Sequence, residues 1–190
     1  EQSEEVAATV TIEDGKTALA AYLPLTGNMM QFGTSIRRGM ELAVKHWNED
    51  NGGINGKEVT IDFFDDKGDT TESVNVAIAA DKDKYIAALG SFSSSCAMAA
   101  APIFEESKLL MFSPTGSHPD FGKLGDYIFA IAMTGKYEHM LYAKIATEEL
   151  EGKNVGFIGA QSDTTELGIN MLKEKCEETG ANFYTELFVA

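Results

Sequence analysis

Residues 90–119 read GSFSSSCAMAAAPIFEESKLLMFSPTGSHP, and the fold is decided in this stretch. The apolar run Tyr85–Leu89 reads as a buried strand that opens into Gly90-Ser91-Phe92-Ser93-Ser94-Ser95. Ala97, Ala100, Ile103 and Phe104 then fall at helical spacing, with Ser94-Ser95 as the cap and Pro102 kinking the helix. Leu109–Phe112 is the next strand and opens into Ser113-Pro114-Thr115-Gly116-Ser117. Strand, helix and strand in this order imply a parallel unit with a right-handed crossover. Ligands of open α/β sheets lie beyond the carboxyl ends of the strands. Two hydroxyl-rich loops at that edge, without a reactive base, suit holding a ligand rather than transforming it.

The same alternation extends in both directions. Ala18–Leu23 is an apolar strand feeding Pro24-Leu25-Thr26-Gly27. Ile36, Met40, Ala43, Val44 and Trp47 mark a helix, with Thr34 or Ser35 as its cap, Gly52-Gly53 as its stop and Trp47 expected in the core. Val59–Phe64 is a second strand ending at Asp65-Asp66, and Asp69-Thr70-Thr71-Glu72 predicts a capping box ahead of Val74, Ala77 and Ile78. Further along, Tyr127–Met133 reads as a strand, followed by a helix around Met140, Ala143 and Ala146. Val155–Ile158, a helix through Ile169, Leu172 and Cys176, and Phe183–Val189 complete the order. Pro119, Gly122, Gly125 and Gly135 cluster where the pattern breaks, as at a crossover between domains. Beyond it only two regular strands remain, too few to bury both faces of a parallel sheet. The expectation is a chain cut short, with uncovered apolar faces that drive self-association.

Composition narrows the function classes. The 190 residues carry 30 acidic and 15 basic side chains, a formal net charge of −15 that disfavours nucleic acid as a partner. No apolar run approaches the ~20 residues needed to span a bilayer. Residues 1–14 hold five acids and no base, which reads as a solvated terminus compatible with a tether to a lipid anchor. Cys96 and Cys176 are expected as buried free thiols.

Motifs for chemistry fail one after another. Gly52-Gly53-Ile54-Asn55-Gly56-Lys57 lies after a helix and before a strand, the reverse of a phosphate loop, and reads as a helix stop and turn. There is no G-x-G-x-x-G after the first strand and no G-x-S-x-G. His46, His118 and His139 are too widely spaced to suggest a metal site. Asp65-Asp66 reads as a turn-capping pair rather than a catalytic one. Ser93-Ser94-Ser95 is different, because a helix N-terminus with added hydroxyl donors suits a carboxylate. A carbonyl and a hydroxyl from Thr115 and Ser117 would accept from an ammonium group, matching both ends of a free amino acid.

With these stretches in place, the sequence resembles the branched-chain amino-acid binding proteins of bacterial ABC transporters. Pro24-Leu25-Thr26-Gly27 with Gln31-Phe32-Gly33, Gly39-Met40-Glu41-Leu42-Ala43, Asn51 through Lys57, and Asp65-Asp66-Lys67-Gly68-Asp69 carry the likeness, together with residues 90–119. The resemblance implies the type I periplasmic-binding-protein fold, an α/β architecture of parallel βαβ sheets in two lobes joined by crossing strands. On that basis residues 1–16 form an acidic segment, 17–120 a first lobe, 121–136 the crossover and 137–190 the start of a second lobe. Carried over by position, Ser94, Thr115 (through its backbone) and Ser117 bind the ligand's carboxylate and ammonium. Phe32, before a glycine, walls the side-chain pocket. Thr164, within Gln161–Thr165, stands where a tyrosine is frequent and removes an aromatic from the second lobe's share.

The resemblance therefore implies a non-enzymatic, extracytoplasmic protein that captures a small amino acid, branched-chain or aliphatic, and delivers it to an ABC transporter permease. It implies no cofactor and no metal. The alternative is a sensor of the same fold, coupled to a receptor or regulator, for an amide, an aromatic acid or another small solute. A hydrolase or transferase would need a base near Ser94, for which His118 is the one nearby candidate.

Overall fold

A computed structural model describes residues 16–80, 83–161 and 163–188. Seven strands and five α-helices follow one another along these residues, alternating except where β5 succeeds β4: β1 Lys16–Leu23, α1 Met30–Asn51, β2 Glu58–Asp65, α2 Thr70–Ala79, β3 Tyr85–Gly90, α3 Ser94–Ser107, β4 Leu110–Ser113, β5 Ile128–Ala130, α4 Gly135–Lys144, β6 Asn154–Ala160, α5 Asp163–Thr179 and β7 Asn182–Phe188. The described residues separate into two units, one within 16–116 and 122–131 and the other within 117–121 and 132–188.

The first unit is a five-stranded sheet in the order β2-β1-β3-β4-β5. Every pairing is parallel. Parallel strands need crossovers, and here α1, α2 and α3 supply those between β1 and β4. Because β2 lies on one side of β1 and β3 on the other, right-handed connections put α1 on one face and α2 and α3 on the opposite face. With a strand on each side and helices on both faces, β1 is buried, and Ala20, Ala21, Tyr22 and Leu23 are all but inaccessible. Phe104 of α3 packs its ring on Tyr22, 5.6 Å between centroids. Both cysteines are free and buried, as expected.

The second unit pairs β6 with β7 in parallel, from Asn154 opposite Asn182 to Ala160 opposite Phe188. Ala143, Val155, Leu172 and Cys176 form its core against α4 and α5. Alternation along the strands leaves Ile158 and Tyr184 exposed on the other face.

Several local expectations are corrected. Helix α1 begins at Met30, so Thr34 and Ser35 lie inside it. Its entry is a backbone turn, in which Met30 N–H donates to Gly27 O at 3.2 Å, and Met29 precedes it without a side-chain cap. Trp47 is half exposed rather than core; its indole N–H donates to Gly53 O at 3.1 Å, which fastens the ring over the helix end. Ser93, not Ser94 or Ser95, is the N-cap of α3, because it alone has the extended backbone (φ −88°, ψ 138°) from which Oγ reaches Cys96 N–H. The strand expected over Tyr127–Met133 is only Ile128–Ala130. By contrast, Asp69 caps α2 by accepting from Thr71 and Glu72 N–H, and Gly52 ends α1 in a left-handed conformation.

Candidate functional site

The strand order reverses at β1, and a crevice opens at such a switch point where the loops after β1 and β3 run apart to opposite faces. The loop after β1 leads into α1, whose first turn carries Phe32-Gly33. A Cβ on Gly33 would lie 2.1 Å from Pro24 O, so only glycine lets the first turn of α1 rest on the loop that precedes it. That close approach places the neighbouring Phe32. Its ring stacks on Phe92 of the β3 loop, 4.6 Å between centroids with the planes 5° apart. The first turn of α1 and the β3 loop thus meet in an aromatic pair, and Phe32 keeps 45% of its surface exposed.

The loop after β4 is stitched to the same place. Thr115 Oγ1 donates to Phe92 O at 2.8 Å and lies 3.4 Å from Ser91 O. Ser113 Oγ lies 3.4 Å from Ser91 O and accepts from Gly116 N–H at 3.0 Å. Of the residues singled out in the sequence, Phe32, Ser94 and Thr115 therefore belong to one set of loops in the first unit. Phe92, which sequence reasoning passed over, joins Phe32 and Thr115. The available signal was an aromatic among small residues at the carboxyl end of a strand.

Ser94 is the first residue of α3 and half-buried. Beside it, Ser93 Oγ and Ser95 Oγ are 2.7 Å apart, so three hydroxyls and the first-turn N–H groups share the positive end of the helix. Ser117 groups with the second unit, where its carbonyl accepts from Gly135 N–H at 2.7 Å at the start of α4. Thr164 stands in the first turn of α5, which begins at Asp163, rather than in a loop, and its side chain lies outside the described residues. His118 Nδ1 accepts from Asp120 N–H at 3.2 Å, so the expected candidate base is engaged within its own turn.

Two adjacent carboxylates close the other side of the first unit's loops. Asp65 accepts from Leu25 N–H (2.8 Å), Thr26 N–H (3.2 Å), Thr26 Oγ1 (2.6 Å) and Lys67 N–H (2.9 Å). Burial alone would raise its pKa, but these four bonds outweigh it and hold the carboxyl below the usual range. Asp66, fully buried, accepts from Ser91 Oγ and from Gly68 N–H. Burial pushes its carboxyl up, the two bonds pull against this, and the charge of Asp65 adds to the rise. Among the described residues no group of three His, Cys, Asp or Glu could hold a metal ion, and no helix is long and apolar enough to cross a membrane.

A parallel sheet with this switch point, continued by a second parallel unit, is the type I periplasmic-binding-protein fold. The chain belongs to the periplasmic binding protein family, whose sequence model matches residues 17–190. It is similar to Leu/Ile/Val-binding protein homolog 1 of Brucella abortus (strain 2308), 34% identical over 127 residues, which are 63% of this chain and 33% of that protein. Among solved structures it is similar to the branched-chain amino acid transporter substrate binding protein LivJ of Streptococcus pneumoniae str. Canada MDR_19A in complex with isoleucine, with a TM-score of 0.82 at 23% identity, covering 92% of this chain and 50% of that one. The leucine binding protein LivK of Thermotoga maritima MSB8 superposes with a TM-score of 0.77 at 26% identity over 91% of this chain and 49% of that one. The chain thus spans about half the length of these structures and a third of the Brucella protein.

Proposed function

We propose that the protein is an extracytoplasmic solute-binding protein that captures a small aliphatic amino acid between two lobes and hands it to the permease of an ABC transporter. One observation carries this reading. At the switch point, the hydroxyl-lined N-terminus of α3 directly follows Phe92, whose ring stacks on Phe32 of α1. A carboxylate is favoured by the helix end and an apolar side chain by the aromatic wall, and an aliphatic amino acid supplies both. Ser94 serves the carboxylate, Thr115 through its backbone and Ser117 serve the ammonium, and Phe32 bounds the side chain. Thr164 contributes from the second lobe. The names of the Brucella, Streptococcus and Thermotoga proteins support the same ligand class.

No covalent step enters the proposal: the protein holds the solute and releases it unchanged. The test is a thermal-shift panel of the twenty amino acids, with benzoate and an aliphatic amide added, on protein expressed from its whole gene. Leucine, isoleucine or valine should raise Tm by several degrees. A shift confined to benzoate or the amide would move the protein to another ligand class, and no shift with any compound would remove the proposal.

A further inference from the structure

The geometry points to Asp66 as a positioning residue that sets the two hydroxyl loops of the crevice through Ser91, an inference that rests on the proposed amino-acid site. Asp66 directly follows β2, and its own N–H donates to Leu23 O of β1 at 3.0 Å. One carboxylate oxygen takes Gly68 N–H at 2.9 Å and the other takes the Ser91 hydroxyl, 25 residues away in the β3 loop. The Ser91 carbonyl in turn stands within 3.4 Å of both the Ser113 and Thr115 hydroxyls, and Ser113 Oγ accepts Gly116 N–H. A single relay therefore runs from β2 to the loops after β3 and β4, and Asp66, Ser91 and Ser113 in it are all inaccessible to solvent.

A carboxylate that only closed its own turn would need Gly68 N–H and nothing else, and would be better left in water. Asp66 is instead buried to meet Ser91. An ionised carboxylate accepts only, which suits two donors converging on it; an asparagine would turn an N–H toward one of them. Asp65 performs the matching task for the β1 loop from the exposed side. The consecutive acids thus hold the loops that lead to Phe32 and Ser94, the second of which carries Phe92 and meets Thr115.

The experiment compares Asp66→Asn, Ser91→Ala and Asp69→Ala in protein expressed from its whole gene, by amide hydrogen exchange and by titration calorimetry with L-leucine. Asp69→Ala removes the side-chain cap of α2 and keeps the Asp69 N–H that donates to Asp66 O, so it lowers Tm without changing either readout. Asp66→Asn and Ser91→Ala should each speed exchange of the Gly116 amide and weaken leucine binding by about tenfold. Wild-type exchange at Gly116 in both variants, or an equal effect of Asp69→Ala, would overturn the inference. If Asp66→Asn does not fold, Ser91→Ala decides alone. Should the wild-type protein bind no amino acid, the proposed ligand class fails, and Gly116 exchange still decides the role of Asp66.

Discussion

Replacing Gly33 by alanine tests how the crevice is built. The added Cβ would stand 2.1 Å from Pro24 O and 2.7 Å from Pro24 C, where real Cβ atoms essentially never come closer than 3.0 Å. The obstacle is backbone on both sides, so nearly 1 Å of relief has to come from moving the first turn of α1 or the loop after β1. Overpacking of this kind costs roughly 1–3 kcal/mol, and a backbone obstacle belongs at the upper end. Any movement also carries Phe32 off its 4.6 Å stack with Phe92, a contact worth a further ~0.5–1.5 kcal/mol. Gly39, two turns along the same helix, is the internal control, because its Cβ would meet nothing within 4 Å. There alanine should stabilise by about 0.5–1 kcal/mol through helix propensity alone. Urea unfolding of both variants gives the two signs directly. A Gly33→Ala midpoint at or above wild type would refute the close approach as the reason for glycine beside Phe32.

Further outcomes follow from individual contacts. Thr115→Val removes the 2.8 Å bond to Phe92 O and should cost about 1 kcal/mol in urea unfolding, with little change in volume. Asp69→Ala, losing a cap to Thr71 and Glu72 N–H, should likewise cost about 1 kcal/mol. Asp65 has a depressed pKa when folded, so its stabilisation is present above the unfolded pKa and disappears as pH falls through the folded value. The gap in stability between wild type and Asp65→Asn should therefore be widest near neutral pH and close in acid. Asp66, with its raised pKa, acts with the opposite sign: its contribution to stability rises as pH falls from above the folded pKa to the unfolded one, and Asp66→Asn abolishes that slope.

The strand and helix order was legible because β1, β3 and β4 are short apolar runs that open into turn residues, β2 alternates around Ile61 and Phe63, and the helices carry apolar residues at helical spacing. What misled were signals that several local structures share. Thr34 and Ser35 resemble caps, yet the Gly27–Met30 turn starts α1 earlier with backbone bonds that leave no mark in the sequence. Of three consecutive serines only Ser93 takes the extended conformation a cap requires, and hydroxyl chemistry alone does not separate it from Ser94. Trp47 sits on the apolar stripe, but its indole N–H finds Gly53 O and draws the ring outward. In the candidate site, Ser94 and Thr115 were visible as hydroxyl residues after strand ends, and Phe32 only through the family resemblance. Phe92 and the task of Asp66 were not, since both depend on contacts between loops distant in sequence: Phe32 with Phe92, and Asp66 with Ser91.

The central claim is that the start of α3 holds a ligand's carboxylate, and calorimetric titration of L-leucine into wild-type and Ser94→Ala protein, expressed from the whole gene, tests it most directly. A charge-assisted bond at this position is worth about 1.5–3 kcal/mol, so the variant should bind roughly ten- to a hundred-fold more weakly. Ser107→Ala, whose hydroxyl only meets Phe104 O at the far end of the same helix, should match wild type. A Ser94→Ala protein with the wild-type dissociation constant would contradict the account.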